Sequence, residues 1–221
     1  MAEIYQDVFS RLAQTYAVTI IAGSIILPPL RISSRELVPD NGPLRNTSVV
    51  YRPDGVPYPR VVGKVFPTAK ELPFITPAAA DDIPSIETPA GRLGVLICAD
   101  SWYPQAYIPV KEQGIDMLAV PSYDVSGMQN WNRTWPGYDG WPAPPDVDPG
   151  DAGGIRESQA WRKYSLAGRI RSSGALYGMN IFLRGTLWDQ DLSGWPATLV
   201  REGEIFVEEQ TEKAAILTLW L

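Results

Sequence analysis

The chain has 221 residues, of which 45% are apolar and 20% charged, and this is ordinary for one folded globular domain. Its net charge of −6, with no basic stripe to offset it, excludes a surface that follows nucleic-acid phosphates. It contains no histidine, which excludes Ser-His-Asp and Cys-His catalytic pairs and removes the commonest zinc ligand.

The sequence offers no sign of a membrane or an oxidising compartment. No apolar run approaches the ~20 residues that span a bilayer. The first residues lack the basic-then-apolar order of a secretory signal, and the single cysteine cannot form an internal disulfide. We therefore predict a cytoplasmic protein that binds neither membrane nor nucleic acid.

The first half of the chain alternates between helical and strand patterns. Ile4–Tyr16 predicts an amphipathic helix, because Ile4, Val8 and Leu12, and again Phe9, Ala13 and Tyr16, recur at three- and four-residue steps. The apolar run Val18–Leu27 predicts a strand buried on both faces. Thr47–Tyr51 and Arg60–Phe66, on either side of the turn Arg52–Gly55, predict a hairpin.

The next segments predict a buried strand that leads to the cysteine. Ile86–Pro89 and Arg92–Ile97 read as strands, and the second ends at Cys98. Pro104–Gln113 predicts a short helix, and Met117–Val120 a further buried strand.

The segment 126–154 differs in kind. It carries Trp131, Trp135 and Trp141 among many Pro, Gly and Asp residues, without periodicity. Loops of this length in compact domains are usually functional lids, or else disordered. Aromatic side chains suit substrate pockets and subunit contacts alike, so both interpretations stay open.

The remaining elements predict the fold class. Ile155–Ser173 reads as a helix, while Ala175–Leu183, Ala197–Arg201 and Ala214–Leu221 read as strands, with a turn at Glu202-Gly203. Strands alternate with helices at first and hairpins dominate later, which predicts a mixed α/β domain with layered sheets. No repeat or linker divides residues 1–221, so we expect one domain.

Cys98 and Lys64 are the candidate catalytic residues. Open α/β sheets place ligands at the carboxyl ends of strands, where the turning backbone also leaves N–H groups for an oxyanion. A lysine near a thiol favours the thiolate. Taken singly, Cys98 could be a small buried hydrophobe, and Lys64 an edge-strand residue that faces water.

Three segments nevertheless occur in a characteristic order. A hairpin around Pro53-Asp54-Gly55 precedes Gly63-Lys64-Val65-Phe66-Pro67, and Glu71 follows shortly after. Residues 88–104 then read Thr-Pro-Ala-Gly-Arg-Leu-Gly-Val-Leu-Ile-Cys-Ala-Asp-Ser-Trp-Tyr-Pro. This order resembles the carbon–nitrogen hydrolase (nitrilase/amidase) superfamily. The likeness runs over most of the chain, and supporting segments are 20–24, 46–48, 169–181 and 194–221.

The resemblance implies a fold and a mechanism. The fold would be a four-layer α-β-β-α sandwich whose subunits form a homo-oligomer. Cys98 would be the nucleophile that attacks an amide or nitrile carbon to give a thioester-type intermediate. Lys64 and the N–H of Ala99 would stabilise the oxyanion. Glu71 would be the second glutamate that orients the lysine, or else a surface residue.

The residues after the cysteine bear on the substrate. True nitrilases of the superfamily usually show an aromatic residue and then a glutamate there, whereas Ala99 and Asp100 stand here. This favours hydrolysis of a linear amide or N-carbamoyl bond, with a nitrile remaining open. Ala99, Asp100, Trp102 and Tyr103 are the candidate oxyanion or substrate-binding residues. Asp100 could instead cap the following turn.

One departure concerns the triad glutamate, the general base, which normally ends an early strand upstream of Ile20–Gly23. The chain begins at the helix before that segment, so we expect an N-terminally truncated domain, and Glu3 does not fit the role. The alternatives are an inactive or regulatory relative that binds small molecules or a partner without turnover, and an enzyme that passes the acyl group to an amine. No metal or organic cofactor is implied.

Overall fold

The structure is a computed structural model that describes residues 1–124, 128–187, 190–191, 195–209 and 214–220. Its α-helices are α1 (Ala2–Tyr16), α2 (Tyr107–Glu112), α3 (Glu157–Tyr164) and α4 (Leu166–Ser173). Short 3-10 turns lie at Ala80–Asp82, Cys98–Trp102, Pro104–Ala106 and Met128–Asn132.

The strands of the first half of the chain are β1 (Ile20–Ile21), β2 (Ile25–Leu27), β3 (Leu30–Ser33), β4 (Glu36–Pro39), β5 (Arg45–Tyr51), β6 (Pro57–Gly63), β7 (Ile86–Thr88) and β8 (Gly91–Val95). Those of the second half are β9 (Met117–Ser122), β10 (Tyr177–Phe182), β11 (Thr186–Leu187), β12 (Gln190–Asp191), β13 (Thr198–Arg201) and β14 (Glu204–Val207).

Two sheets form the centre of the molecule. In the first, β1, β2 and β6 each pair antiparallel with β5. The second has six strands in the order β14-β13-β10-β9-β8-β7, and its central strands β8, β9 and β10 are parallel. The carboxyl ends of β8 and β9 therefore lie at the same edge, where the chain continues to Cys98 and Tyr123.

Successive side chains on a strand point to opposite faces of its sheet, so each of the two sheets packs against the other sheet on one face and against helices on the other. On β5, Val49 and Tyr51 pack with α1, whereas Val50 packs against the second sheet. At the end of β8, Val95 packs against the first sheet, and Leu96 packs against α2 and α4. The layers are thus α1, first sheet, second sheet, and α2 with α4. This confirms the predicted α-β-β-α sandwich.

The first helix turns a different face inward than its apolar pattern predicts. The helix itself is confirmed, but Tyr5 and Ala13 are buried on the sheet while Ile4, Val8 and Leu12 are exposed. Both faces carry apolar residues, so periodicity alone does not select the buried one.

Two other predicted elements are interrupted. The predicted strand Val18–Leu27 is split into β1 and β2, and it is not buried on both faces, since Ile26 is exposed. The predicted helix Ile155–Ser173 breaks at Ser165, whose backbone is extended and whose hydroxyl donates to the Trp161 carbonyl. A serine that bonds the backbone four residues earlier competes with the helical pattern.

Two strand predictions end differently in the structure. The strand predicted at Arg60–Phe66 is β6, which ends at Gly63, so Lys64 lies just beyond the strand. The strand predicted at Ala214–Leu221 is wrong for residues 214–220, which form no strand. Residue 221, residues 126–127 of the predicted loop, and residues 194 and 210–213 of the resembling segment lie outside the described residues.

No helix in the part of the chain that the structure describes is long and apolar enough to cross a membrane.

Tyr51 tests the packing between α1 and the first sheet. Its side chain is fully buried, and its hydroxyl has no hydrogen-bond partner among the described residues. A buried, unpaired hydroxyl costs free energy, so we expect Tyr51→Phe to raise the free energy of unfolding by about 1 kcal/mol in urea denaturation.

Tyr5, in the same cluster, provides the matched control. Its hydroxyl donates to the Gly23 carbonyl at 2.8 Å and accepts the Val49 N–H at 3.3 Å. Tyr5→Phe loses both bonds and should lower the free energy of unfolding by about 1 kcal/mol. Equal losses in the two variants would contradict the prediction.

Candidate active site

Cys98 lies at the shared carboxyl edge of the parallel strands. It begins the 3-10 turn Cys98–Trp102, and its φ of +52° is in the left-handed region, which residues other than glycine seldom adopt. Such strained positions concentrate at functional sites. The side chain is half-buried, and its Sγ lies 3.8 Å from the Tyr123 carbonyl oxygen, which follows β9. The thiol is therefore held at the sheet edge without being sealed in the core.

Lys64 and Glu71 form a buried ion pair. Lys64 Nζ lies 2.6 Å from Glu71 Oε2, and the two side chains are only 3% and 19% exposed. Glu71 also accepts the Thr68 N–H at 2.8 Å, the Thr68 hydroxyl at 3.1 Å and the Asn46 side-chain amide at 2.9 Å. Both carboxylate oxygens are thus committed, and Glu71 is not a free surface residue.

The local backbone positions this pair. The Lys64 N–H donates to the Asn46 carbonyl at 2.8 Å, and the Ala78 N–H donates to the Lys64 carbonyl at 2.9 Å, so the chain stays fixed after β6 ends. Thr68 and Glu71 stand in Thr-x-x-Glu spacing, and the Glu71 carboxylate accepts the Thr68 N–H as in a capping box, while the Glu71 N–H donates to the Thr68 carbonyl at 2.9 Å. The turn that follows therefore aims Glu71 back at Lys64.

Both Cys98 and Glu71 act on the pKa of Lys64. Burial works to lower the pKa of Lys64, but Cys98 and Glu71 together outweigh it, so that pKa lies above its usual range. Burial likewise works to raise the pKa of Glu71, and the charge and hydrogen bond of Lys64 overcome it, so that pKa is lowered. The structure thus brings together Cys98, Lys64 and Glu71.

Asp100 belongs to the same turn as Cys98, and its side chain is buried. It is 1% exposed, and its carboxylate accepts the backbone N–H groups of Val65, Phe66 and Ile97. Burial raises the pKa of Asp100 to about 6, while the Phe66 N–H and the Lys64 charge act in the opposite direction. Of the two sequence interpretations of Asp100, this geometry favours the structural one.

The other predicted residues divide between the turn and an aromatic cluster. Ala99 is half-buried in the turn, where the first N–H groups have no partner inside the turn. Trp102 is buried against Trp135 and Trp161, with ring centroids 5.7 and 4.8 Å away. Tyr103 stacks on Phe66 at 4.1 Å and is also buried.

The tryptophans of the long loop pack into this cluster. Trp131 and Trp135 are buried, and Trp141 donates its indole N–H to the Pro67 carbonyl at 2.7 Å. Cys98 packs against the same cluster. In its described part, 128–154, the loop therefore packs through its tryptophans into the cluster beside the thiol.

A sequence family includes the segment that carries this site. The sequence profile described as "Carbon-nitrogen hydrolase" matches residues 6–141, well over half of the chain and all three residues of the Cys98 site. The chain belongs to the carbon–nitrogen hydrolase family. No curated protein sequence matches it.

Solved structures of carbon–nitrogen hydrolases share the fold. A carbon–nitrogen hydrolase from Helicobacter pylori G27 aligns with a TM-score of 0.67 at 21% identity, over 96% of this chain and 64% of that chain. Saccharomyces cerevisiae Nit3, a member of branch 10 of the nitrilase superfamily, aligns at 0.64 and 19%, over 95% and 62%. A variant of the amidase from Nesterenkonia sp. AN1, with acrylamide added to its active-site cysteine, aligns at 0.60 and 14%, over 91% and 62%. This carbon–nitrogen hydrolase chain thus spans less than two thirds of the length of these relatives.

Sequence reasoning missed several groups that contact the site residues of this carbon–nitrogen hydrolase chain. The Asn46 amide and Thr68 bond Glu71, and the Tyr123 carbonyl contacts the thiol. Only Thr68 had a readable signal, the Thr-x-x-Glu spacing. Among the described residues, no group of three or more His, Cys, Asp or Glu side chains is arranged to hold a metal ion.

Proposed function

We propose that the chain hydrolyses non-peptide carbon–nitrogen bonds through a Cys98 thioester, with a linear amide or an N-carbamoyl compound as substrate. The observation that carries the proposal is the convergence of a half-buried thiol, a buried ammonium and an oriented carboxylate at Cys98, Lys64 and Glu71. Membership of the carbon–nitrogen hydrolase family supports the reaction class.

The first half of the reaction is assigned to these residues. The Cys98 sulfur attacks the carbonyl carbon and the C–N bond breaks, while the proton that the thiol gives up ends on the nitrogen, which leaves as ammonia or an amine. The negative charge that develops on the carbonyl oxygen is stabilised by the Lys64 ammonium and the Ala99 N–H. Glu71 keeps the ammonium in place, because the ion pair is short and nearly excluded from water.

The second half of the reaction needs a general base to activate water against the thioester. Glu71 is committed to Lys64, Thr68 and Asn46, and Asp100 to three backbone N–H groups, so we assign the base to neither. Acylation of Cys98 is therefore the step that this site supports most directly.

The substrate class is argued from the site's surroundings. Ala99 and Asp100 follow the cysteine, where true nitrilases usually carry an aromatic residue and a glutamate. Trp102, Trp131 and Trp161 belong to the buried cluster that packs against Cys98, so the surroundings of the thiol are apolar on that side. We therefore rank linear amides and N-carbamoyl compounds above nitriles.

The experiment measures ammonia release from linear amides, N-carbamoyl amines and nitriles, alongside the mass of the intact chain after incubation with acrylamide. We expect release from an amide or N-carbamoyl compound, and a gain of one acrylamide that is absent in Cys98→Ala. An acrylamide adduct without release from any compound would favour the binding or regulatory alternative. Release that depends on an added amine acceptor would favour acyl transfer.

Three further expectations belong to this proposal. We propose one carbon–nitrogen hydrolase domain over 1–221, because β10 and β13 continue the sheet that contains β8. The family resemblance supports a homo-oligomer, which sedimentation velocity would measure. A cytoplasmic location follows only from the sequence pattern, and fractionation of the native host tests it.

A further inference from the structure

One carboxylate joins the two segments that carry the candidate catalytic groups. Asp100 Oδ1 accepts the N–H of Val65 at 3.0 Å and of Phe66 at 2.7 Å, and Oδ2 accepts the N–H of Ile97 at 3.0 Å. Val65 directly follows Lys64, and Ile97 directly precedes Cys98. The two segments are more than 30 residues apart in the chain, so this contact is tertiary.

We propose that Asp100 is a positioning residue that holds Lys64 at the distance from Cys98 that acylation requires. This inference rests on the proposed function for its purpose, although the contact itself does not. The carboxylate bonds the backbone next to each group, and neither segment can shift without breaking at least one of the three bonds.

Only an aspartate has the chemistry that this position uses. The site presents three N–H donors to one buried side chain, and a carboxylate is acceptor-only at both oxygens. Asparagine would turn an N–H donor toward one of these N–H groups, and glutamate would displace the oxygens by one methylene. The carboxylate is 1% exposed, so water cannot replace a lost bond.

Replacing Asp100 has opposite effects on the Cys98 thiol, depending on whether Asp100 acts through its charge or through the position of Lys64. Asp100 is a negative group near Lys64, and removing a negative charge by itself would favour the Cys98 thiolate. Moving the Lys64 ammonium away from the sulfur would disfavour the thiolate. The sign of the change therefore separates a positioning role from a purely electrostatic one.

The experiment is the rate of Cys98 alkylation by iodoacetamide against pH, followed by intact mass. The chain has one cysteine, so the signal comes from one thiol and needs no turnover. In Asp100→Asn we expect the rate at pH 7 to fall about tenfold and the midpoint of the profile to move up by about one pH unit. Asp100→Glu, which keeps the charge, should shift the profile in the same direction.

Two control variants separate this effect from a general loss of stability. Asp116→Asn removes a carboxylate whose oxygen also accepts a β8 backbone N–H, that of Arg92 at 2.9 Å, but at the opposite end of the strand. Val200→Ala lowers stability from β13, three strands along the sheet from β8. Neither should move the alkylation profile.

An unchanged profile in both Asp100 variants, or a shift to lower pH, overturns the proposal. If neither variant folds, hydrogen exchange in the unaltered protein decides, because the Val65, Phe66 and Ile97 amides must then exchange as slowly as those inside β8. Fast exchange there overturns it too. A shifted profile in a chain that hydrolyses nothing would leave the positioning role standing while the proposed function fails.

Discussion

Replacing Cys98 or Lys64 by alanine is expected to lower kcat/KM for the best substrate of the panel by about 10⁴-fold or more. Without the sulfur there is no nucleophile, and without the buried ammonium the charge on the carbonyl oxygen is left to one backbone N–H. Because the two groups act in one step, the double variant should lose little more than either single variant. Steady-state ammonia release measures all three.

Lys70→Ala is the matched control for the lysine. Lys70 is exposed and stands next to Glu71, so its loss removes a positive charge from the same segment without touching the ion pair. We expect its kcat/KM to stay within about twofold, since exposed charges contribute little. Turnover that survives in Cys98→Ala or Lys64→Ala would remove that residue from the mechanism.

Local patterns predicted much of the scaffold. The hairpin of β5 and β6 follows from its Pro-Asp-Gly turn, and β8 and β9 from apolar runs bounded by glycine, because these signals lie within a few residues of the element that they specify. The site residues Cys98, Lys64 and Glu71 came from a resemblance in motif order. Their spacing alone does not show that they meet.

What sequence reasoning could not supply depends on tertiary contacts. The three N–H groups that Asp100 accepts include two from more than 30 residues earlier, which no local pattern encodes. Which apolar face of α1 is buried depends on the sheet that it meets, since Ile4 and Val8 fit the helical period as well as Tyr5. At the helix break, the Ser165 hydroxyl bonds the Trp161 carbonyl, a contact that the apolar periodicity of the segment does not encode.

The second large effect concerns stability. Glu71→Gln is expected to lower the free energy of unfolding by about 3 kcal/mol at pH 7, because it leaves the Lys64 ammonium buried without its ion-pair partner. Lys64→Met should cost less, since Glu71 keeps its donors from Thr68 and Asn46. Urea denaturation of the two variants measures this asymmetry.

A double-mutant cycle tests whether the pair is the cause. Lys64→Met/Glu71→Gln removes both charges, so it should be more stable than Glu71→Gln alone. Asp7→Asn is the exposed control: Asp7 lies 2.7 Å from Arg11, but both side chains are more than half exposed, so its loss should cost less than 1 kcal/mol. Additive effects of the two site substitutions would mean that the ion pair does not hold this part of the chain.

The effect should also depend on pH in a defined direction. The pKa of Glu71 is lowered from its ordinary 4.5 by Lys64 against the opposing effect of burial, so the folded state favours the ionised carboxylate. Its contribution is present above pH 4.5 and is lost as the pH falls through the lower, folded-state value. The unaltered protein and Glu71→Gln should therefore differ most near neutral pH and converge in acid, because below that range both carry an uncharged side chain opposite Lys64. A difference that stays constant from neutral to acid pH would show that the glutamate acts by packing and not by charge.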